Sequence, residues 1–145
     1  MNKTGKVVEI NISDKKGIVK TPISEGKFIE NFGLEGDAHG GNWHRQVSLL
    51  GIESFKKMEK QGLNLKHGDF AENITTEGII LYELPIGTRL KIGETVQEVT
   101  QIGKKCHTGC AIAQSVGKCI MPTEGIFTKV IVGGIIRAGD TIEVI

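Results

Sequence analysis

A mainly β fold, a closed or nearly closed barrel with a few peripheral helices, is predicted by three features of these 145 residues. Short runs rich in Val, Ile and Thr recur at close spacing, separated by turn residues. Glycine accounts for 20 residues, about twice the average usage of ~7%, as many tight corners require. Helical signals are confined to two segments, which argues for a barrel or sandwich rather than a layered α/β fold.

Taken in order, "GKVVEINI" (5–12) reads as a strand, followed by the turn "SDKKG" and a short strand "IVKT", an opening hairpin. "GKFIENFGLEGDAHGGNWHR" reads as loop with one short strand at most, and "QVSLLG" (46–51) as a buried strand. The strongest helix lies near residues 52–61. Ile52, Phe55 and Met58 recur on one face, Glu53 and Lys57 are spaced to pair, and Gly62 offers a stop. "FAENITTEG" and "TRLKIGETVQEVTQIG" read as strands with glycine turns. "TGCAIAQSVG" reads as a short helix with Thr108 as N-cap and Gly117 as stop. "GIFTKVIVGGIIRAGDTIEVI" supplies the closing strands. No repeat, low-complexity segment or interdomain linker interrupts the chain, so a single domain over 1–145 is expected.

Bulk properties narrow the function. Lys and Arg total 18 against 17 Asp and Glu, a formal net charge of +1. That gives no basis for nucleic acid or an acidic membrane surface as a partner. No apolar run approaches the roughly 20 residues of a membrane helix. The three cysteines, clustered within 106–119, do not form a secreted disulfide framework. A cytoplasmic protein with reactive, ligating or buried thiols is expected.

Two segments carry chemistry. "GLEGDAHGGNWHRQ" (33–46) gathers four glycines, two histidines, two acids and an arginine. Glycine corners let backbone N–H groups approach an anion, and His39 and Arg45 add charge-assisted donors. Asp37 would repel an anion, so its expected role is to hold the loop or orient His39. Trp43 and His44 are expected to pack or be solvated. The plainer alternative is that the glycines serve turns alone.

The second segment is "IGKKCHTGCAIAQSVGKCIMP". Cys106 follows Lys104 and Lys105 and precedes His107, and Cys110 falls near the first turn of the expected helix. Positive neighbours and a helix N-terminus favour thiolate, the form that ligates metal and transfers sulfur. Cys119, flanked by Ile120 and Met121, reads as a small buried hydrophobe. Zinc bound by Cys106, His107, Cys110 and Cys119 is an alternative, although C-x3-C is a weak zinc spacing. A Cys106–Cys110 disulfide is a third reading.

The strings "GLEGDAHGGNWHRQVSLL", "HGDFAENITTEGI", "LPIGTRLKIGETVQEVTQIGKKC" and "GIFTKVIVGGIIRAGDTIEV" together resemble a stand-alone MOSC domain, the family named for the C-terminal domain of molybdenum cofactor sulfurase. The resemblance implies a β-barrel and a molybdenum–pterin cofactor. It also implies one cysteine as molybdenum ligand or sulfur carrier, in sulfur transfer or in reduction of N-hydroxylated compounds. By position that cysteine is Cys106, with Cys110 as rival. This chain lacks a proline just before Cys106, a departure in that loop. His39, Arg45, Asp37, Asn73, Thr75 and Lys105 are the corresponding cofactor-site candidates, with Glu72 beside the same mouth. Asn73 and Thr75 could instead serve local turns. Pyridoxal phosphate would enter only through a partner. The implied partner is a cofactor-biosynthesis protein or a molybdoenzyme, and the implied ligand a small anion. A non-catalytic cofactor carrier or insertion module, or a thiol- or zinc-stabilised scaffold, is the alternative function.

Overall fold

In the computed structural model of the chain, residues 3–16, 18–60, 62, 64–103 and 121–145 are described. The elements are β1 (Thr4–Ile12), β2 (Thr21–Ile23), β3 (Glu25–Ile29), β4 (Gly33–Leu34), β5 (Val47–Gly51), α1 (Ile52–Glu59), β6 (Ile74–Glu77), a 3-10 turn (Leu81–Glu83), β7 (Arg89–Ile92), β8 (Thr95–Ile102), α2 (Met121–Glu124), β9 (Ile126–Val132), β10 (Gly134–Arg137) and β11 (Thr141–Val144). The helix expected within 108–117 lies outside the described residues.

The main sheet runs β11-β7-β8-β9-β5-β6-β1-β2, and β11 also pairs with β1. That last pairing closes a seven-strand barrel, with β2 appended to β1. β1 is long enough to hold both edges: Thr4 pairs with Glu143 near its start, and Ile10 with Ile23 near its end. β5 and β6 run parallel, Leu49 opposite Ile74. A parallel pair needs a crossover that leaves the sheet, and α1 lies within that crossover. β10-β3-β4 form a second small sheet.

Two apolar clusters follow from strand alternation. Val7, Ile10, Leu49, Ile74, Leu90, Val99, Ile126 and Ile142 belong to the main core. Leu50 and Phe127, neighbours of Leu49 and Ile126 in sequence, point the other way and join Phe55, Met58 and Phe70. α1 thus seals an outer face of β5 and β9. Burying each such side chain contributes about 1.5–3 kcal/mol.

Local departures from the sequence reading have physical causes. α1 stops at Glu59, with Gly62 at φ +88° just beyond. Glu53 does not pair with Lys57: it accepts the Gly78 N–H at 2.8 Å, while Lys57 meets Glu124 at 2.8 Å. The opening hairpin forms later than expected, because Lys20 is drawn inward and β2 starts at Thr21. "FAEN" is not strand. Ala71 adopts φ +61°, and the Glu72 carboxylate takes the N–H groups of Gly68 and Phe70, which bends the chain into a turn.

Candidate functional site

The 33–46 loop is pinned at its base. Gly33 sits at φ +116°, and a Cβ there would lie 2.6 Å from the Gln46 carbonyl oxygen, so only glycine fits. Gln46 is itself buried. Its Oε1 accepts the Val130 N–H at 2.9 Å and its Nε2 donates to Asn31 Oδ1 at 3.2 Å. The loop therefore enters and leaves over the barrel wall at fixed points.

Asp37 organises the loop. It is buried and accepts the Ser13 N–H at 3.1 Å and the His39 N–H at 3.0 Å. The Lys20 ammonium, also buried, donates to Asp37 Oδ1 at 2.8 Å, to Ser13 Oγ at 2.9 Å and to His39 Nδ1 at 3.1 Å. Burial pushes the Asp37 carboxyl up. The neighbouring His39 side chain, the hydrogen bonds from Lys20 and Ser13 and the lysine charge outweigh that and hold it well below the usual carboxylate range. Asp37 is thus an internal anchor for its loop. His39 keeps 18% of its side chain exposed.

Arg45 stands on the outer side of the same loop. Its guanidinium lies 4.7 Å from the Trp43 ring centroid and 5.6 Å from that of Phe127. Trp43 is fixed by Nε1–H donation to the His39 carbonyl at 2.8 Å, and the Lys16 ammonium lies 5.1 Å from the same ring. The Arg45 Nε is buried without a hydrogen-bond partner among the described residues. His44 is exposed, but its carbonyl accepts the Thr100 hydroxyl. Thr100 belongs to β8, and three residues later Gly103 N–H bonds the Gly125 carbonyl at 2.7 Å. Those two glycines bracket the segment that holds the cysteines. Cys106, Cys110 and Lys105 lie outside the described residues, as do His107 and Cys119. The structure brings the loop to the foot of their segment.

Glu72, Asn73 and Thr75 sit deeper and have no exposed surface. Asn73 Oδ1 accepts the Ser48 N–H at 3.0 Å, and its Nδ2 donates to the Asn11 carbonyl at 3.3 Å. Thr75 donates to Glu72 Oε2 at 2.7 Å and accepts from Asn11 Nδ2 at 3.0 Å. These side chains tie β1, β5 and β6 together and present nothing to a ligand in this structure. With no cation among its partners in the described residues, burial pushes the Glu72 carboxyl up to about 7, despite the bonds from Thr75, Gly68 and Phe70. The two polar groups are joined through the backbone: Lys20 N–H bonds the Gly68 carbonyl at 2.8 Å, and Gly68 N–H bonds Glu72 at 2.9 Å.

Sequence reasoning missed Lys20, Ser13 and Phe127. Lys20 ends the run "GIVK" and reads as a solvated strand residue. A lone lysine at the end of an apolar run, with the loop acid Asp37 seeking a partner, was the available signal. Nothing local marks Phe127 as the platform beneath Arg45.

The MOSC domain family model matches residues 35–143, which include most of the loop, the cysteine segment and most of the barrel. Among solved structures, the YuaD protein from Bacillus subtilis superposes with a TM-score of 0.75 at 22% identity, covering 97% of this chain and 95% of that one. YiiM from Geobacillus stearothermophilus gives 0.75 at 20% identity, with 97% and 75% covered. YiiM from Escherichia coli gives 0.72 at 18%, with 97% and 69% covered. No curated protein matches the chain. The barrel is shared with these structures, and the family match over more than half the sequence establishes that the chain belongs to the MOSC domain family.

Proposed function

We propose that this protein binds an anionic molybdenum–pterin cofactor between the 33–46 loop and the cysteine segment, with Cys106, or its rival Cys110, as the thiolate toward the metal. The observation that carries the reading is Arg45. A guanidinium packed against Trp43 and Phe127, with its Nε buried, is a pre-oriented planar donor without an acceptor among the described residues. Buried donors without partners are uncommon, and a planar cation of this kind suits phosphate.

The donor set fits the group. Arg45 and His39 would hold its anionic end, Lys105 would add positive charge, and a soft thiolate suits molybdenum. Bound there, the cofactor would supply oxygen- or sulfur-atom exchange, as in sulfur transfer or reduction of N-hydroxylated compounds. Asp37, Asn73 and Thr75 support the site from within the protein, and Trp43 holds the arginine plane. The physiological partner in this reading is a cofactor-supplying or cofactor-accepting protein of the cytoplasm.

The test is metal analysis and pterin fluorescence on protein purified from a cofactor-making host. Molybdenum and pterin should copurify in near-equal amounts. Cys106→Ser should lose metal and activity while retaining phosphate affinity, since serine is a poor soft ligand. Loss in Cys110→Ser alone would move the role to the second cysteine. Cofactor retention without turnover would make the protein a carrier. Absence of both metal and pterin would overturn the proposal.

A further inference from the structure

We propose that Lys20 is a positioning residue that fixes the tautomer of His39, so that the ring faces its ligand with Nε2–H as a hydrogen-bond donor. The inference rests on the reading above of His39 as a site residue and adds what that residue offers.

The protons around Lys20 Nζ decide the tautomer. An ammonium donates and cannot accept, so each nitrogen or oxygen close to Lys20 Nζ must present a lone pair. Asp37 Oδ1 does so at 2.8 Å, as an ionised carboxylate. Ser13 Oγ does so at 2.9 Å, because its own proton is directed to the Lys15 carbonyl at 3.0 Å. His39 Nδ1 stands third at 3.1 Å and must also accept. A neutral imidazole with a lone pair on Nδ1 carries its proton on Nε2.

Asp37 Oδ2 lies 3.7 Å from the same Nδ1, beyond hydrogen-bond distance, so the 3.1 Å contact with Lys20 decides the tautomer. The ring is otherwise held on its backbone side. Asp37 Oδ2 accepts the His39 N–H at 3.0 Å, and the His39 carbonyl accepts from Trp43. Nε2 has no partner among the described residues, and part of the side chain reaches solvent. The exposed edge is therefore a donor. It suits an acceptor such as a phosphate oxygen or another oxyanion. It does not suit metal ligation or proton abstraction through Nε2, which need a lone pair there. The buried lysine and aspartate thus set the chemistry of a histidine they hold from below.

The test is nitrogen-15 NMR of the full chain at mildly alkaline pH, where free imidazole is neutral. His39→Gln assigns the His39 ring signals. The wild type should show protonated Nε2 and unprotonated Nδ1. Lys20→Met strands the Asp37 charge in the interior and can fail to fold. The double variant Lys20→Met with Asp37→Asn removes both charges together. In it the tautomer preference should be lost, and the affinity for inorganic phosphate should fall severalfold. A wild-type spectrum with protonated Nδ1 overturns the proposal, as does a double variant that keeps the Nε2–H form unmixed. If the tautomer is as stated but phosphate leaves the His39 Nε2 signal unmoved, the role of Lys20 stands and His39 leaves the ligand site.

Discussion

At the scale of single residues, the candidate site divides into groups that support and groups that face outward. Arg45 faces outward. Arg45→Ala should weaken phosphate binding about tenfold, the loss of one charge-assisted contact of about 1.5 kcal/mol. The barrel should stay folded, since Trp43 keeps its bond to the His39 carbonyl. Arg45→Lys should not restore affinity, because an ammonium lacks the flat face that packs on Trp43 and Phe127. Phosphate titration by calorimetry reads both variants, and full affinity in Arg45→Ala would remove the residue from the site. Glu72 is a supporting group with a pH signature. Its proton is held to about pH 7 in the folded protein but only to about 4.5 when unfolded. The folded state therefore binds more proton between those values, and this group's contribution to stability falls as pH rises through that window, by on the order of 3 kcal/mol. Asp37 runs the other way: its contribution is complete above the ordinary carboxylate range and is lost only in strong acid. Urea midpoints measured from pH 5 to 8 should slope downward in the wild type and flatten in Glu72→Gln. An equal slope in both would clear Glu72.

At the scale of elements, what was legible in the sequence was what repeats. β5, β8, β9 and α1 announce themselves because one periodicity governs several successive side chains. The onset of β2 at Thr21 was not legible. Lys20 leaves the strand to meet Asp37, seventeen positions on, and no local pattern encodes that pairing. The two-residue strand Gly33–Leu34 likewise exists only because Phe28 and Ile29 lie opposite it. In the site, His39 and Arg45 stood out by residue type and glycine context. The burial of Asn73 and Thr75 could not be read, since a turn residue and a barrel-wall residue look alike in "ENITTE". The turn before β6 is the element most exposed to a backbone change. Gly68 sits at φ +91°, and a side chain there would collide with the Lys20 carbonyl. Gly68→Ala should destabilise by about 1–3 kcal/mol. It should disturb both polar groups at once, giving a lower urea midpoint together with weaker phosphate binding. A midpoint unchanged from the wild type would show that the turn relaxes without cost.

At the scale of the whole molecule, closure through the β1–β11 pairing gives the barrel a rigid wall against which the loop is fastened. Gln46 bonds β9, the His44 carbonyl takes the Thr100 hydroxyl of β8, and Arg45 packs on Phe127 of β9. β8 and β9 are the strands between which the cysteine segment is inserted. The central claim, that loop and cysteine segment serve one ligand, is tested most directly by alkylating the native protein briefly and mapping the labelled cysteines by mass. Protein from a cofactor-making host is compared with protein from a host lacking the cofactor. Without cofactor, Cys106 should label faster than Cys119, given its lysine and histidine neighbours. With cofactor, labelling of Cys106 or Cys110 should fall severalfold while Cys119 is unaffected, and the protection should disappear in Arg45→Ala. Equal labelling of Cys106 and Cys110 in the two wild-type preparations, or protection that survives in both Arg45→Ala and His39→Ala, would contradict a shared site.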